Sequence, residues 1–354
     1  MRHFPVGGLT LVGYYGYRNL GDDLLLLSSL TLLEEIDFEG PVFLPAATPV
    51  KELLDNFRFR LNLNIIKRFD PFQLSNAVKN SCVTVFGGGN LLQDCTSFKS
   101  FLYYYELARY SLRKKRPVLL LSQGFGPINH RSNDRALGKL LNNPLTYGVM
   151  RDNTSYKHFS RVSKNVELGT DYGPYYLFKK GIIPSERMRA EGLAVIVLRN
   201  GTKVEDVIKA LKLNGLTEVC AVGFHNHHDE EKRRELEEKA RNAGFRIRKA
   251  PGDLSNVIEI FNNASIIITE RLHGLILAIS MGVPFVWGKN SKLDRFIRSI
   301  DRNCNLFFED DCESMSLAIN SSMREKPDFR ELYREDLERT VELSRSALKK
   351  LTRR

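Results

Sequence analysis

The chain has 354 residues, 42% hydrophobic and 27% charged, which is enough for two domains of ordinary size and excludes a disordered or low-complexity chain. Lys and Arg (53) outnumber Asp and Glu (42), and the net charge of +11 favours acidic partners: phosphorylated metabolites, anionic lipid surfaces or nucleic acid. Five cysteines without a Cys-x-x-Cys pair argue against a disulfide framework or a zinc site, and so for a reducing, cytoplasmic setting. Met1-Arg2-His3 runs straight into a strand with no signal peptide, and no apolar stretch reaches the roughly 20 residues needed to span a bilayer.

Leu9 to Val12 reads as a buried strand. A glycine-rich turn, Gly13 to Asp23, and an apolar helix to about Ile36 follow, which is the opening of an α/β unit. The turn is neither a dinucleotide fingerprint nor a P-loop: Tyr15 and Arg18 stand where glycines belong, and Asp22-Asp23 where Lys-Ser or Lys-Thr belongs. Carboxylates there repel phosphate, so the turn suits a neutral group such as a sugar hydroxyl, presented to Asn19 and Asp22. Alternatively, Asp22 is only a helix cap.

Short strands at 41–47 and 64–66 alternate with helices at 51–57 and 72–79. The strand 81–86 ends in Gly87-Gly88-Gly89-Asn90, where absent side chains let a ligand approach the backbone at the carboxyl edge of an open sheet. An aromatic helix (99–113), a strand (117–121) ending at Gln123-Gly124-Phe125-Gly126-Pro127, and a strand (147–150) leading to Arg151-Asp152 and a helix start capped by Asn153 or Asp152 come next. Arg151 points to the same edge or forms an ion pair with Asp152 or a neighbour. Arg113 to Arg116 is a candidate phosphate or membrane-surface patch. Residues 179–192, with Gly181 and Pro184, read as an interdomain linker.

A second α/β set starts with Leu193 to Leu198 and continues through the helix 204–213, the strand 218–224, the helix 230–243, a strand at 245–248 and the helix 254–262. An apolar strand, 264–269, ends where Glu270, Arg271 and His273 gather, and Gly274 opens an apolar helix. Unpaired amides at a helix start attract anions, and an arginine and a histidine add charge and a proton carrier. The residues therefore describe half of an anionic-substrate site. From Pro327 the tail is an amphipathic helix. His225, His227, His228 and Asp229 invite a metal reading but lack the helical H-E-x-x-H spacing. No G-x-S-x-G elbow and no nucleic-acid motif is present.

Four blocks in order carry a resemblance: Gly13-Tyr14-Tyr15-Gly16 with Asn19-Leu20-Gly21-Asp22-Asp23; Gly87-Gly88-Gly89-Asn90-Leu91-Leu92-Gln93-Asp94 with Thr96-Ser97; Gln123 to Pro127 with Arg151-Asp152 and Ser155; and Arg271-Leu272-His273 with Ala278, Gly282-Val283-Pro284 and Lys292. Together they resemble the polysaccharide pyruvyl transferase family, in particular the ketal pyruvyl transferases of cell-wall polymers. The family's usual Asp-Pro-Lys is Asn290-Ser291-Lys292 here, and Leu198-Arg199-Asn200 matches only loosely.

The resemblance implies an α/β protein of two Rossmann-like domains facing across a cleft (GT-B-like), with acceptor-side residues 1–178, donor-side residues 193–326, and a C-terminal helix, 327–354, packing back on the first domain. It implies transfer of pyruvate from phosphoenolpyruvate to a sugar, with no cofactor and no metal. Arg271, His273, Lys292 and Arg151 are the implied phosphoenolpyruvate ligands. Asn19, Asp22, Asn90 and Asp94 are the implied acceptor residues, and His273, Asp22 and Asp94 the proton carriers. The expected partners are phosphoenolpyruvate and a lipid-linked or polymeric glycan, not nucleic acid. Peripheral contact with the inner membrane face and the oligomeric state stay open. A GT-B-like glycosyltransferase using a nucleotide sugar, and a non-catalytic glycan- or lipid-phosphate-binding protein, are the alternatives.

Overall fold

The structure, a computed structural model, describes residues 7–183, 191–199, 202–225, 229–250 and 254–352. It divides into two compact units: Met1–Arg18, Asp22–Tyr176 and Asp336–Arg354 form the first, and Asn19–Gly21 with Leu177–Glu335 the second.

The first unit alternates strands and helices: β1 (Gly8–Val12), α1 (Leu20–Glu35), β2 (Val42–Ala46), α2 (Val50–Asn56), β3 (Leu63–Lys67), α3 (Pro71–Lys79), β4 (Ser81–Gly89), α4 (Phe98–Arg113), β5 (Val118–Gln123), α5 (Arg131–Leu141), β6 (Thr146–Met150), α6 (Asn153–Ser160), β7 (Val166–Leu168) and α7 (Tyr175–Lys179). The sheet order is β3-β2-β1-β4-β5-β6-β7, with every pair parallel. β1 and β5 are buried along their whole length, as expected of strands covered on both faces, which is why the sequence shows continuous apolar runs rather than alternation.

The second unit repeats the plan: β8 (Leu193–Val197), α8 (Val204–Leu213), β9 (Glu218–Ala221), α9 (Glu230–Asn242), β10 (Arg246–Ile247), α10 (Leu254–Asn263), β11 (Ile266–Thr269), α11 (Leu272–Ser280), β12 (Phe285–Gly288), α12 (Ser291–Ile300), β13 (Phe307–Phe308) and α13 (Cys312–Glu325). Its parallel sheet runs β10-β9-β8-β11-β12-β13. In both sheets the order reverses beside the first strand, between β1 and β4 and between β8 and β11. Open α/β sheets bind ligands beyond the carboxyl ends of such a pair.

The last helix, α14 (Arg330–Thr352), buries Leu337, Val341, Leu348 and Leu351 from the residues that count with the first unit. There the Thr340 hydroxyl accepts a 2.7 Å bond from the Thr170 N–H, and the Arg345 guanidinium donates 2.8 Å to Glu35.

Four helices were not anticipated: α5, α7, α12 and α13. In α5 the buried positions are Asn133, Leu137, Leu140 and Leu141, and in α12 they are Leu293, Phe296 and Ile297. Their spacing is helical, but so many charged neighbours dilute it that it reads as loop. Of the expected linker, 184–190 lies outside the described residues.

Candidate functional site

In the second unit the carboxyl ends of the adjacent strands β11 and β12 each feed a helix start. Arg271 is the N-cap of α11 and makes no side-chain cap bond, so the helix begins at Leu272, earlier than expected. At α12, Asn290 caps the helix by accepting 2.9 Å from the Lys292 N–H, which sets Lys292 in the first turn. Two neighbouring helix starts, an arginine, a histidine and a lysine concentrate positive potential at one edge.

Arg271 is aimed by Asp229. One carboxylate oxygen of Asp229 accepts from the Phe224 and His225 backbone N–H groups at 3.0 Å each, and the other accepts from Arg271 Nη2. Arg271 Nε is buried and has no hydrogen-bond partner among the described residues. Glu270 turns away from this group. Its carboxylate accepts from the Arg199 N–H (2.6 Å) and the Thr202 hydroxyl (2.7 Å), tying the end of β8 to that of β11, and burial raises its pKa.

His273 is positioned by Gly21. A Cβ on Gly21 would overlap the imidazole, nearest Nδ1, so the ring lies against bare backbone. The Asn19–Gly21 segment that brings this glycine there is pinned within the same unit. Asn19 bridges to His225, the Leu20 N–H donates to the Phe224 carbonyl (3.1 Å), and the Asn19 side-chain oxygen accepts from the Gly21 N–H (3.1 Å). Thus the first and last sequence blocks meet at Gly21 and His273. Asn19 is the cap of α1, correcting the reading of Asp22 as that cap; Asp22 and Asp23 lie inside the first turn.

In the first unit the β1/β4 edge carries the glycine run. Gly88 and Gly89 have φ of +101° and +98°, which favours glycine, and the Asp22 carboxylate lies 3.6 Å from where a Gly89 Cβ would stand. Beside it Asp23 is buried, and burial together with the Asp22 charge raises its pKa to about 7. Asn90 donates 2.7 Å to the Gly126 carbonyl, linking the loops that follow β4 and β5.

Two further expected site residues in this unit have structural partners. Asp94 accepts four bonds: from Asn129 N (2.6 Å), His130 N (3.1 Å), His130 Nδ1 (2.9 Å) and Asn133 Nδ2 (2.7 Å). Burial works against its charge, but these donors outweigh it and hold the carboxyl well below the usual range. Asp94 is therefore held ionised by four donors, three on Oδ2 and one on Oδ1, and anchors the start of α5. Arg151 is buried and donates 3.2 Å to the fully buried Asp171; it also pairs with Asp152 at 4.0 Å, and Asp152 caps α6. A Gly124 Cβ would stand 2.7 Å from Arg151 Nε, so the glycine makes room for the guanidinium.

Asp229 is occupied by Arg271 and two amides, and His227 and His228 lie outside the described residues. No group of three His, Cys, Asp or Glu suited to a metal occurs among the described residues. Among them, too, no helix is long and apolar enough to cross a membrane.

Sequence reasoning missed Arg68 and His130. Arg68 is buried among Tyr14, Tyr17, Phe69, Tyr103 and Tyr104, with its guanidinium carbon 4.8–5.5 Å from their ring centres. It donates 2.8 Å to the Gly13 carbonyl and so braces the glycine turn. Only the density of tyrosines in the turn and in α4 hinted at it.

Two doubly wound parallel sheets with alternating helices define an α/β fold of the GT-B-like class. The sequence profile of the polysaccharide pyruvyl transferase family matches residues 19–291, and the chain belongs to that family of transferases. No curated protein matches the chain in sequence. Among solved structures it is similar to a Listeria monocytogenes protein assigned as a UDP-N-acetylglucosamine 2-epimerase (TM-score 0.70, 10% identity, 99% of this chain and 97% of that one). It is also similar to the UDP-GlcNAc 2-epimerase of Neisseria meningitidis, determined with UDP-GlcNAc (0.65, 10%, 97% and 99%). A third is WaaG, a glycosyltransferase of lipopolysaccharide biosynthesis (0.51, 12%, 96% and 99%). At these identities the likeness concerns the fold.

Proposed function

We propose that this protein transfers pyruvate from phosphoenolpyruvate to a sugar of a cell-surface glycan precursor, forming a pyruvate ketal and releasing phosphate. The observation that carries the reading is the cluster of Arg271, His273 and Lys292 at two adjacent helix starts, in a chain of this family. The donor bears a phosphate and a carboxylate, and each calls for cations. Arginine suits bidentate oxyanion binding and lysine a point charge. Arg151 remains the first unit's anion-binding candidate.

The chemistry balances without an external reductant. C3 of the enol gains a proton, C2 becomes oxocarbenium-like, two hydroxyl oxygens bond to C2, and the C2–O bond to phosphate breaks with its electron pair on phosphate. Of the two hydroxyl protons, one replaces the proton given to C3 and the other leaves with phosphate. His273 acts at the donor, protonating it or neutralising the departing phosphate. Asp22, whose carboxylate faces Gly89 at the end of β4, and Asn19, the cap of α1, act on the acceptor.

Replacing Arg271 or His273 by Ala is expected to lower phosphoenolpyruvate-dependent phosphate release about 10²–10³-fold, the usual cost of one preorganised charge-stabilising contact. Unchanged release in both variants would show that the donor is held elsewhere.

A further inference from the structure

We propose that Asp94 and His130 form a proton-carrying dyad, in which His130 Nε2 takes the proton from an acceptor hydroxyl. This rests on the pyruvyl-transfer reading above.

The Asp94 side chain is fully buried and the His130 side chain is 58% exposed. A carboxylate can only accept, so the 2.9 Å contact requires the hydrogen on His130 Nδ1, and in the neutral ring that leaves a lone pair on Nε2. Asp94 stays ionised because its four donors hold its pKa down. The ring is further steadied by Phe98, edge-on at 5.8 Å.

Capping alone does not account for this arrangement. The backbone bonds from Asn129 and His130 and the side-chain bond from Asn133 already fasten the start of α5. The fourth bond fixes an exposed imidazole in one tautomer, which is what a carboxylate does for a catalytic histidine. The dyad also lies on the loops that follow β4 and β5, the carboxyl edge that carries Gly89 and Asn90, and Asn90 itself holds the second of these loops through Gly126.

Asp94 is the ionisable group paired with His130. On α5, Arg131 is exposed and Asp134 is turned to His158 at 3.7 Å; on α4, Lys99 is exposed beside Phe98. In the reaction each of the two hydroxyls gives its proton to Nε2 as its oxygen bonds to C2. One proton restores the acid that protonated C3 and the other leaves with phosphate, so the imidazole returns to neutral.

The test is His130→Gln, which keeps the backbone bonds to Asp94 and changes an exposed side chain. The expected result is a fall in kcat of about 10²–10⁴-fold with a KM for phosphoenolpyruvate within about twofold. Imidazole ¹⁵N NMR should show the Nδ1–H tautomer in the wild type and a mixture in Asp94→Asn. Unchanged kcat in His130→Gln, or an Nε2–H tautomer in the wild type, would overturn the dyad. If Arg271→Ala lost phosphoenolpyruvate turnover while His130→Gln did not, the dyad would fall and the donor reading stand. If the His130→Gln loss appeared only in transfer from a nucleotide sugar, the donor reading would fall and the dyad stand.

Discussion

At the scale of single residues, the tightest constraint is Gly21 beneath His273. A methyl group there collides with the imidazole, and overpacking of this kind costs about 1–3 kcal/mol when neighbours must shift. Gly21→Ala should therefore cut turnover at least tenfold through a displaced ring while the protein stays folded, read by steady-state kinetics beside circular dichroism. Full activity would mean that the position of His273 is immaterial. Asp23 gives a second prediction. Its folded pKa is raised to about 7 from a reference of 3.8, so the folded state binds the proton more tightly. The resulting stability is fully present below pH ~4 and is lost as pH rises through about 7. A shift of about three units corresponds to roughly 4 kcal/mol over that window. Denaturant midpoints of the wild type should fall relative to Asp23→Asn between pH 4.5 and 7.5; parallel curves would contradict the raised pKa.

At the scale of elements, the apolar runs reveal the strands because parallel strands buried on both faces are apolar throughout. α5 and α12 are hidden because charged residues crowd their few buried positions. Residues placed by long-range packing are the least legible. Nothing in the local pattern says that Arg68 is caged by rings, that Asp94 accepts four bonds, or that Asn19 caps α1. Arg271, by contrast, is legible, because an apolar strand and an apolar helix meet at it. In α14, Thr340 is buried and supplies the acceptor for the Thr170 N–H. Thr340→Val keeps the shape but strands that donor, and should cost about 1–3 kcal/mol in urea unfolding. An unchanged midpoint would mean that water or another acceptor replaces the hydroxyl.

At the scale of the whole molecule, the two sheets share one strand order, 3-2-1-4-5-6, with a seventh strand added in the first. The repetition is invisible as sequence similarity because burial constrains apolar character and not identity. What differs is the chemistry at the two reversal points. The first has glycines, Asp22 and Asp23; the second has Arg271, His273 and, one strand on, Lys292. The proposed anionic donor and hydroxyl-bearing acceptor rest on that asymmetry. The most direct measurement is phosphate release from phosphoenolpyruvate across a set of lipid-linked glycan precursors, run beside sugar transfer from UDP-sugars to the same acceptors. The expected result is acceptor-dependent phosphate release, abolished in His273→Ala, with a pyruvate ketal on the glycan. Sugar transfer from a UDP-sugar with no phosphoenolpyruvate turnover on any acceptor would contradict it.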